Sequence, residues 1–234
     1  MIKFYLKFLL FLCVSCFCQN VFAQSGNGIY GEKYYQNMVF SAGANYYFGD
    51  IEKIGIFSKY WKNQVNAFGQ VGYEKCIYKK KLKFRADLLA SMLNGERNDH
   101  SFKSYIVIPE AVLEYYPITI RKKRCNCDDK TIGLYLYGGI GLALYHVNLN
   151  TPSKEIKHFS FVPTAALGLG YKFYISPRVE LGLEFDYRFA LLDELNSSLD
   201  GYPYKKDNGA IVGEYTSNWN DGFYTFGLIC SYHF

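Results

Sequence analysis

Tyr224-Thr225-Phe226-Gly227-Leu228-Ile229-Cys230-Ser231-Tyr232-His233-Phe234, the last eleven residues of the 234-residue chain, alternate almost without error. Tyr224, Phe226, Leu228, Cys230, Tyr232 and Phe234 share one face, and Thr225, Gly227, Ile229, Ser231 and His233 share the other. Side chains of a strand alternate with period two, so one face of this segment is apolar and the other small or polar. A tilted strand of about ten residues is long enough to cross a bilayer. The pattern therefore fits a strand with lipid on one side and an enclosed polar space on the other.

Seven further segments repeat the alternation. The first sets Met38, Phe40, Ala42, Ala44, Tyr46 and Phe48 against Val39, Ser41, Gly43, Asn45 and Tyr47; the second sets Val65, Ala67, Val71 and Tyr73 against Gln64, Asn66 and Gln70. The third places Leu82, Phe84, Ala86, Leu88, Ala90 and Met92 opposite Lys83, Arg85, Asp87 and Ser91. The fourth, about Lys103 to Tyr116, places Tyr105, Val107, Ala111, Leu113 and Tyr115 opposite Ser104, Glu110 and Glu114; its Pro109 removes a ladder donor and predicts a bulge. In the fifth, Ile132, Leu134, Leu136, Ile140, Leu142 and Leu144 face out, with Gly133, Tyr135, Tyr137, Gly139 and Gly141 facing in. The sixth points Phe161, Pro163, Ala165, Leu167, Leu169, Tyr171 and Phe173 outward and Thr164, Ala166, Gly168, Gly170 and Lys172 inward. The seventh sets Val179, Leu181, Leu183, Phe185, Tyr187, Phe189 and Leu191 against Glu180, Gly182, Glu184, Asp186 and Arg188. With the C-terminal segment this predicts an all-β chain: an eight-stranded antiparallel transmembrane β-barrel of up-and-down topology, the even number that bacterial single-chain barrels require.

The connectors alternate as well. Gly49–Lys62, Asn94–Phe102, Val147–Phe159 and Leu192–Asp221 are expected as outer loops; Glu74–Lys81, Pro117–Lys130 and Ile175–Arg178 are expected as periplasmic turns. Two of the latter carry basic runs, Lys79-Lys80-Lys81 and Arg121-Lys122-Lys123-Arg124. Such runs serve solvation, or a docking surface for an acidic or anionic periplasmic partner.

The start of the chain agrees with this compartment. Lys3 and Lys7, the apolar run Phe8-Leu9-Leu10-Phe11-Leu12 and the small-residue pattern Val21-Phe22-Ala23 predict a secretory signal over 1–23, cleaved before Gln24. Residues 24–36 then form an N-terminal periplasmic segment, and 37–234 the barrel. Residues 24–234 carry 24 Lys and Arg against 21 Asp and Glu, a net charge of about +3 and no nucleic-acid signature. Aromatics are 19% of the chain, with 23 Tyr and 19 Phe, enough to furnish the girdles of a membrane barrel. Of the cysteines beyond the signal, Cys125-x-Cys127 is too tight for an easy internal disulfide and lacks neighbouring His for a metal. A bridge from Cys76 to either of them, or free thiols, are the alternatives.

An eight-stranded barrel is just wide enough for side chains to fill it. The inward set contains Lys83, Arg85, Lys172 and Arg188 with Asp87, Glu110, Glu114, Glu180, Glu184 and Asp186, an interior ionic network with a modest acidic surplus. A plugged polar core argues against an open pore. It also accounts for same-face carboxylates such as Glu180 and Glu184, or Glu110 and Glu114, without catalysis. His158-Phe159-Ser160 is similar to the His-x-Ser of outer-membrane lipid A deacylases, where a hydroxyl is activated by an adjacent base. Here both residues share the inward parity of Thr164 and Lys172, and an enzyme acting on lipid needs them outward. His100, His146 and His158 as a metal cluster, and Asp193, Glu194 and Asp200 as a calcium site, are weak signals, so no cofactor or metal is expected.

Several segments in order resemble one family. They are Gly43-Ala-Asn-Tyr-Tyr-Phe-Gly-Asp50, Phe102-Lys-Ser-Tyr105 with Leu113-Glu-Tyr-Tyr116, Leu136-Tyr-Gly-Gly-Ile-Gly-Leu142, Tyr187-Arg-Phe189 with Leu192-Asp-Glu-Leu195, and the final strand. They are similar to the PorG-like outer-membrane barrels, and the ending at Tyr232 and Phe234 resembles the barrel-assembly signal of outer-membrane proteins. The resemblance implies a place in the outer membrane of a Gram-negative bacterium, among lipid and lipopolysaccharide. It also implies handling by the barrel-assembly machinery and a non-enzymatic part in a type IX secretion-like assembly, in contact with periplasmic ring proteins. The alternatives are a stand-alone envelope-stabilising or surface-binding barrel, with Tyr202, Tyr204, Tyr215 and Trp219 of the long loop as contacts, and a lipid A-modifying esterase.

Overall fold

The computed structural model describes residues 36–48, 65–78, 81–97, 100–124, 127–151, 154–176, 178–191, 199, 206–207, 210–211 and 221–234. Of the signal and N-terminal segment expected over 1–36 only Gln36 is described, and it begins the first strand; Lys79, Lys80, Cys125 and the loop aromatics Tyr202, Tyr204, Tyr215 and Trp219 lie outside the described residues. Eight strands close a barrel: β1 (Gln36–Phe48), β2 (Val65–Tyr78), β3 (Leu82–Arg97), β4 (His100–Arg124), β5 (Cys127–Thr151), β6 (Lys154–Ser176), β7 (Val179–Ala190) and β10 (Gly222–His233). Two-residue strands β8 (Lys206–Asp207) and β9 (Ala210–Ile211) pair in a separate hairpin. Every barrel strand is antiparallel to its neighbours in sequence, and β1 joins β10 to shut the ring. Closure leaves no sheet edge along the band these strands share, the condition for placing backbone N–H and C=O groups in hydrocarbon.

The two faces carry opposite chemistry. Tyr224, Phe226, Leu228, Tyr232 and Phe234 point outward, whereas Phe223, Thr225, Ile229, Ser231 and His233 are buried. Around the rest of the wall the outward positions include Phe40, Val71, Leu88, Leu113, Leu136, Ile140, Leu169 and Phe185, all exposed. The inward positions include Arg85, Glu114, Lys172, Glu184 and Arg188, all buried. An apolar wall of this extent around a charged centre is stable in a bilayer and unstable in water. The chain is a transmembrane barrel.

We call the end where β1 begins and β10 finishes the terminal rim and the opposite end the far rim. At both, strands replace expected loops. The β3–β4 ladder continues to Arg97↔His100 and the β5–β6 ladder to Thr151↔Lys154, through the segments expected to be outer loops. The β4–β5 ladder likewise runs to Arg124↔Cys127, through the expected Pro117–Lys130 turn. The far-rim extension reverses the barrel's polarity. Phe102, Ile106, Val147 and Leu149 are buried, while Lys103, His146 and Asn150 are exposed on the other face. Outward apolar residues are needed only in lipid, so the alternation used to find strands disappears there while the backbone pairing persists.

The bulge expected at Pro109 is absent. Asp87↔Glu110, Leu88↔Pro109 and Leu89↔Ile108 pair in unbroken register, and the β5 side keeps one register from Val107↔Leu144 to Glu110↔Gly141. The missing N–H removes ladder pairs without inserting a residue. The shift falls instead between Tyr115 and Ile118, around Pro117, and others lie between Cys76 and Tyr78 and between Tyr174 and Ser176. All are at the terminal rim, where bulges are tolerated best.

Large inward rings are accommodated by glycines on the adjacent strand. Tyr135 pairs with Gly170 and Tyr137 with Gly168, and a methyl group at either glycine would overlap the facing tyrosine ring. Gly69, on the outer face, has nothing within 4 Å of where its Cβ would be. Gly170→Ala should therefore cost about 1–3 kcal/mol by overpacking, while Gly69→Ala stays within about 0.5 kcal/mol. Urea unfolding of both variants in lipid vesicles measures the contrast.

Candidate functional site

The chemistry of this chain is concentrated inside the barrel, and strand alternation puts it there. Lys83, Arg85 and Asp87 share the inner face of β3; Glu110 and Glu114 share that of β4; Glu180, Glu184, Asp186 and Arg188 share that of β7. Register then sets partners side by side, with Glu74↔Arg85, Lys83↔Glu114 and Asp87↔Glu110 as direct cross-strand pairs.

Two arginines act as hubs. Arg85 sends Nε to Asp87 Oδ2 at 2.6 Å, Nη1 to Glu114 Oε1 at 2.6 Å and Nη2 to Glu184 Oε1 at 2.9 Å, spending its whole fork on three strands. Arg188 grips Glu110 in two-pronged fashion, Nη2 to Oε1 at 2.8 Å and Nε to Oε2 at 3.2 Å, and pairs with Asp186 through Nη1. Two lysines complete the set nearer the terminal rim. Lys172 Nζ lies 2.5 Å from Glu74 Oε2 and 3.1 Å from Glu114 Oε2, and Lys83 Nζ lies 2.7 Å from Glu74 Oε1. Glu180 Oε1 faces His233 Nε2 at 3.3 Å.

Neutral donors supply further bonds to the carboxylates. Tyr116 donates to Glu114 at 2.9 Å, Tyr135 to Glu184 at 3.2 Å and Tyr137 to Asp186 at 2.7 Å. Gln70 donates to Asp87 at 2.7 Å and Asn37 to Glu74 at 2.6 Å, while Thr225 bonds Asp186. The tyrosine rings also face the cations, with Lys172 4.8 Å from the Tyr135 centroid, Lys83 4.8 Å from that of Tyr116 and Arg85 5.3 Å from that of Tyr137. An ion taken from water into a low-dielectric interior costs several kcal/mol even after relaxation. Charge pairing, cation–π contact and phenol donation together offset that cost.

Toward the far rim the filling changes to an apolar plug that includes Tyr47, Phe68, Leu89, Leu93, Phe102, Ile106, Tyr145, Val162 and Phe223. Tyr47 packs edge-on against Phe102 with centroids 4.8 Å apart and donates to Asp221 at 2.7 Å. Leu199, from the long connector, is buried in the same cluster.

All ten inward residues singled out from alternation meet in one connected interior. Glu74 was missed, because it lies where the apolar signal of β2 fades toward an expected turn; its cross-strand partner Arg85 is the clue that register supplies. The tyrosine donors and the apolar plug were missed because alternation reports which way a residue points, not what fills the space. His158 is exposed and Ser160 half-buried on β6, beyond the last β6–β7 pair at Thr164↔Ala190. Cys76 and Cys230 are half-buried free thiols. Among the described residues no group of three His, Cys, Asp or Glu could hold a metal ion. Lys81 is exposed at the β2–β3 turn, and Arg121–Arg124 form the end of β4.

The fold and site define a closed transmembrane β-barrel with a filled ionic interior. No protein-family profile matches the chain, and no curated protein does. Among solved structures it is similar to the Neisserial surface protein A, with 13% identity over 87% of this chain and 100% of that one and a TM-score of 0.43. It is also similar to Ail, the attachment invasion locus protein of Yersinia pestis, with 13% identity, the same coverages and a TM-score of 0.47. The N-terminal β-barrel domain of Pseudomonas aeruginosa OprF gives 13% identity over 86% of this chain and 100% of that one, with a TM-score of 0.38.

Arg85→Met leaves three carboxylates facing an apolar side chain and should lower stability by about 3–5 kcal/mol, the usual cost of breaking a buried ion pair from one side. Arg85→Lys should recover little, because a single ammonium cannot serve three partners in fixed directions. Urea titrations of the vesicle-embedded variants give both values.

Proposed function

We propose that this chain is a non-enzymatic barrel of the Gram-negative outer membrane, delivered by a signal over residues 1–23 and inserted by the barrel-assembly machinery. We further propose that it serves as an accessory or structural component of a type IX secretion-like assembly. The observation that carries this reading is the β4–β5 ribbon at the terminal rim. Beyond Leu82↔Tyr115 strand β4 leaves β3, and short of Gly133↔Lys172 strand β5 leaves β6. The two strands continue together to Arg124↔Cys127. About seven residues of paired strand extend about 20 Å at the usual rise, and they carry Arg121, Lys122, Lys123 and Arg124. With the terminal rim in the periplasm, the ribbon presents its basic end to a ring protein with an acidic or anionic surface; Lys81 lies on the neighbouring β2–β3 turn of the same rim. The filled interior supports a structural role over a conducting one.

A second reading, a stand-alone surface-binding barrel, draws on the far rim, where β3–β6 outgrow their neighbours and the long connector places Leu199 in the apolar plug. Reversing Arg121, Lys122, Lys123 and Arg124 to Glu separates the two. In-cell crosslinking of the tagged wild type should recover periplasmic ring subunits, and the reversed variant, still folded in the outer membrane, should lose at least 90% of them. Equal recovery by both, or none beyond abundant envelope proteins with the wild type, would move the function to the far rim.

A further inference from the structure

The interior does not balance. Among the described residues, Glu74, Asp87, Glu110, Glu114, Glu180, Glu184 and Asp186 are buried with Lys83, Arg85, Lys172 and Arg188. In the ionic centre seven carboxyl groups face four permanent cations; an eighth buried carboxyl, Asp221, lies apart beside the far-rim plug, where it accepts from Tyr47. Uncompensated charges inside a barrel wrapped in hydrocarbon would each carry a penalty that proteins normally avoid by neutralising the group.

The geometry says where the shortfall lies. Lys83 and Lys172 together match Glu74 and Glu114. Arg85 also bridges Asp87 and Glu184, and Arg188 bridges Glu110 and Asp186, so each guanidinium holds two carboxyl groups with one charge. Glu180 faces His233 and, further off, Lys83. Asp87 Oδ1 and Glu180 Oε2, both buried, have no hydrogen-bond partner among the described residues. Asp87 sees Gln70 of β2, Arg85 of β3, Glu110 of β4 and Glu184 of β7. Asp186 sees Tyr137 of β5, Glu184 and Arg188 of β7 and Thr225 of β10. Glu180 sees Glu74 of β2, Lys83 of β3 and His233 of β10.

We propose that the folded barrel stores two protons at neutral pH, one within Asp87–Arg85–Glu184 and one within Glu110–Arg188–Asp186. Each is taken from bulk water as the chain closes, leaving one carboxylic acid in each unit. This holds whichever reading of the rims is correct.

The sign of the pH dependence follows. Carboxyl groups of the unfolded chain have lost their protons above about pH 5–6. The folded state then holds more protons than the unfolded state, so stability falls as pH rises, and the folding constant drops about tenfold per pH unit for each retained proton. Infrared spectra of the wild-type barrel in zwitterionic vesicles at pH 7 should show the carbonyl band of protonated carboxyl groups. Glu184→Gln and Glu110→Gln should each diminish that band and reduce the pH slope of the folding constant by about one decade per unit. Each variant should be at least as stable as wild type at pH 8, since an amide replaces a group that must otherwise find a proton. Absence of the band at neutral pH overturns the proposal. So does a stability that is flat in pH but rises with K⁺ or Na⁺ at constant ionic strength, which would assign neutralisation to alkali cations.

Discussion

The constraint on which the structure depends is that ions sealed inside a hydrocarbon-wrapped cylinder have nowhere to find water. Arg85 and Arg188 meet it by dividing their forks among strands distant in sequence: Arg85 on β3 reaches Glu184 on β7, and Arg188 on β7 reaches Glu110 on β4. These bonds cross the lumen, whereas ladder bonds only run around the wall. They make the interior a set of struts, fixing the width of a cylinder that backbone pairing alone would leave free to flatten. The tyrosines complete the struts and need the glycines beside them, so Gly168 and Gly170 belong to the ionic network although they carry no charge.

The lipid boundary is written into the same strands as a change of sign. On β5, Leu134, Leu136, Ile140, Leu142 and Leu144 face out over inward Tyr135, Tyr137 and Ala143; from His146 onward the outer residues are polar and the inner Val147 and Leu149 are apolar. Leu134 to Leu144 is ten residue steps, about 33 Å of strand, which at a tilt near 40° rises about 25 Å. That is the height of an outer-membrane apolar band. Above it the extension is organised like a water-soluble sheet, greasy inside and wet outside. One continuous strand thus obeys two opposite patterning rules, each set by its solvent.

This explains what could be read from the residues and what could not. Within the membrane, period-two alternation identified every barrel strand and the side on which Lys83, Arg85, Asp87, Glu180 and Arg188 lie. Beyond the membrane the rule inverts over a few residues, and the inverted stretch carries polar groups that look like loop, so Asn94–Phe102 and Val147–Phe159 read as connectors. Proline misled in a second way. Pro109 and Pro117 remove the same donor, but only at Pro117, where the rim permits an extra residue, does the register move. Partner identity was the least legible feature, because Glu74 and Lys172 are 98 residues apart and meet only once the register of every intervening strand is set.

A filled barrel concentrates its capacity to act at its ends. The transmembrane wall offers partners only aliphatic and aromatic surface, and the lumen is occupied by the Arg85 and Arg188 networks and by the apolar plug. The rims are built unequally. At the far rim four strands rise together over an apolar core to which Tyr47, Phe68, Ala190, Leu199 and Phe223 also contribute. At the terminal rim only β4 and β5 continue, and a lone two-stranded ribbon is at best marginally stable in water. It is held at its base by Tyr116, whose N–H bonds the Lys81 carbonyl and whose hydroxyl bonds Glu114, so it is anchored in the ionic interior at one end.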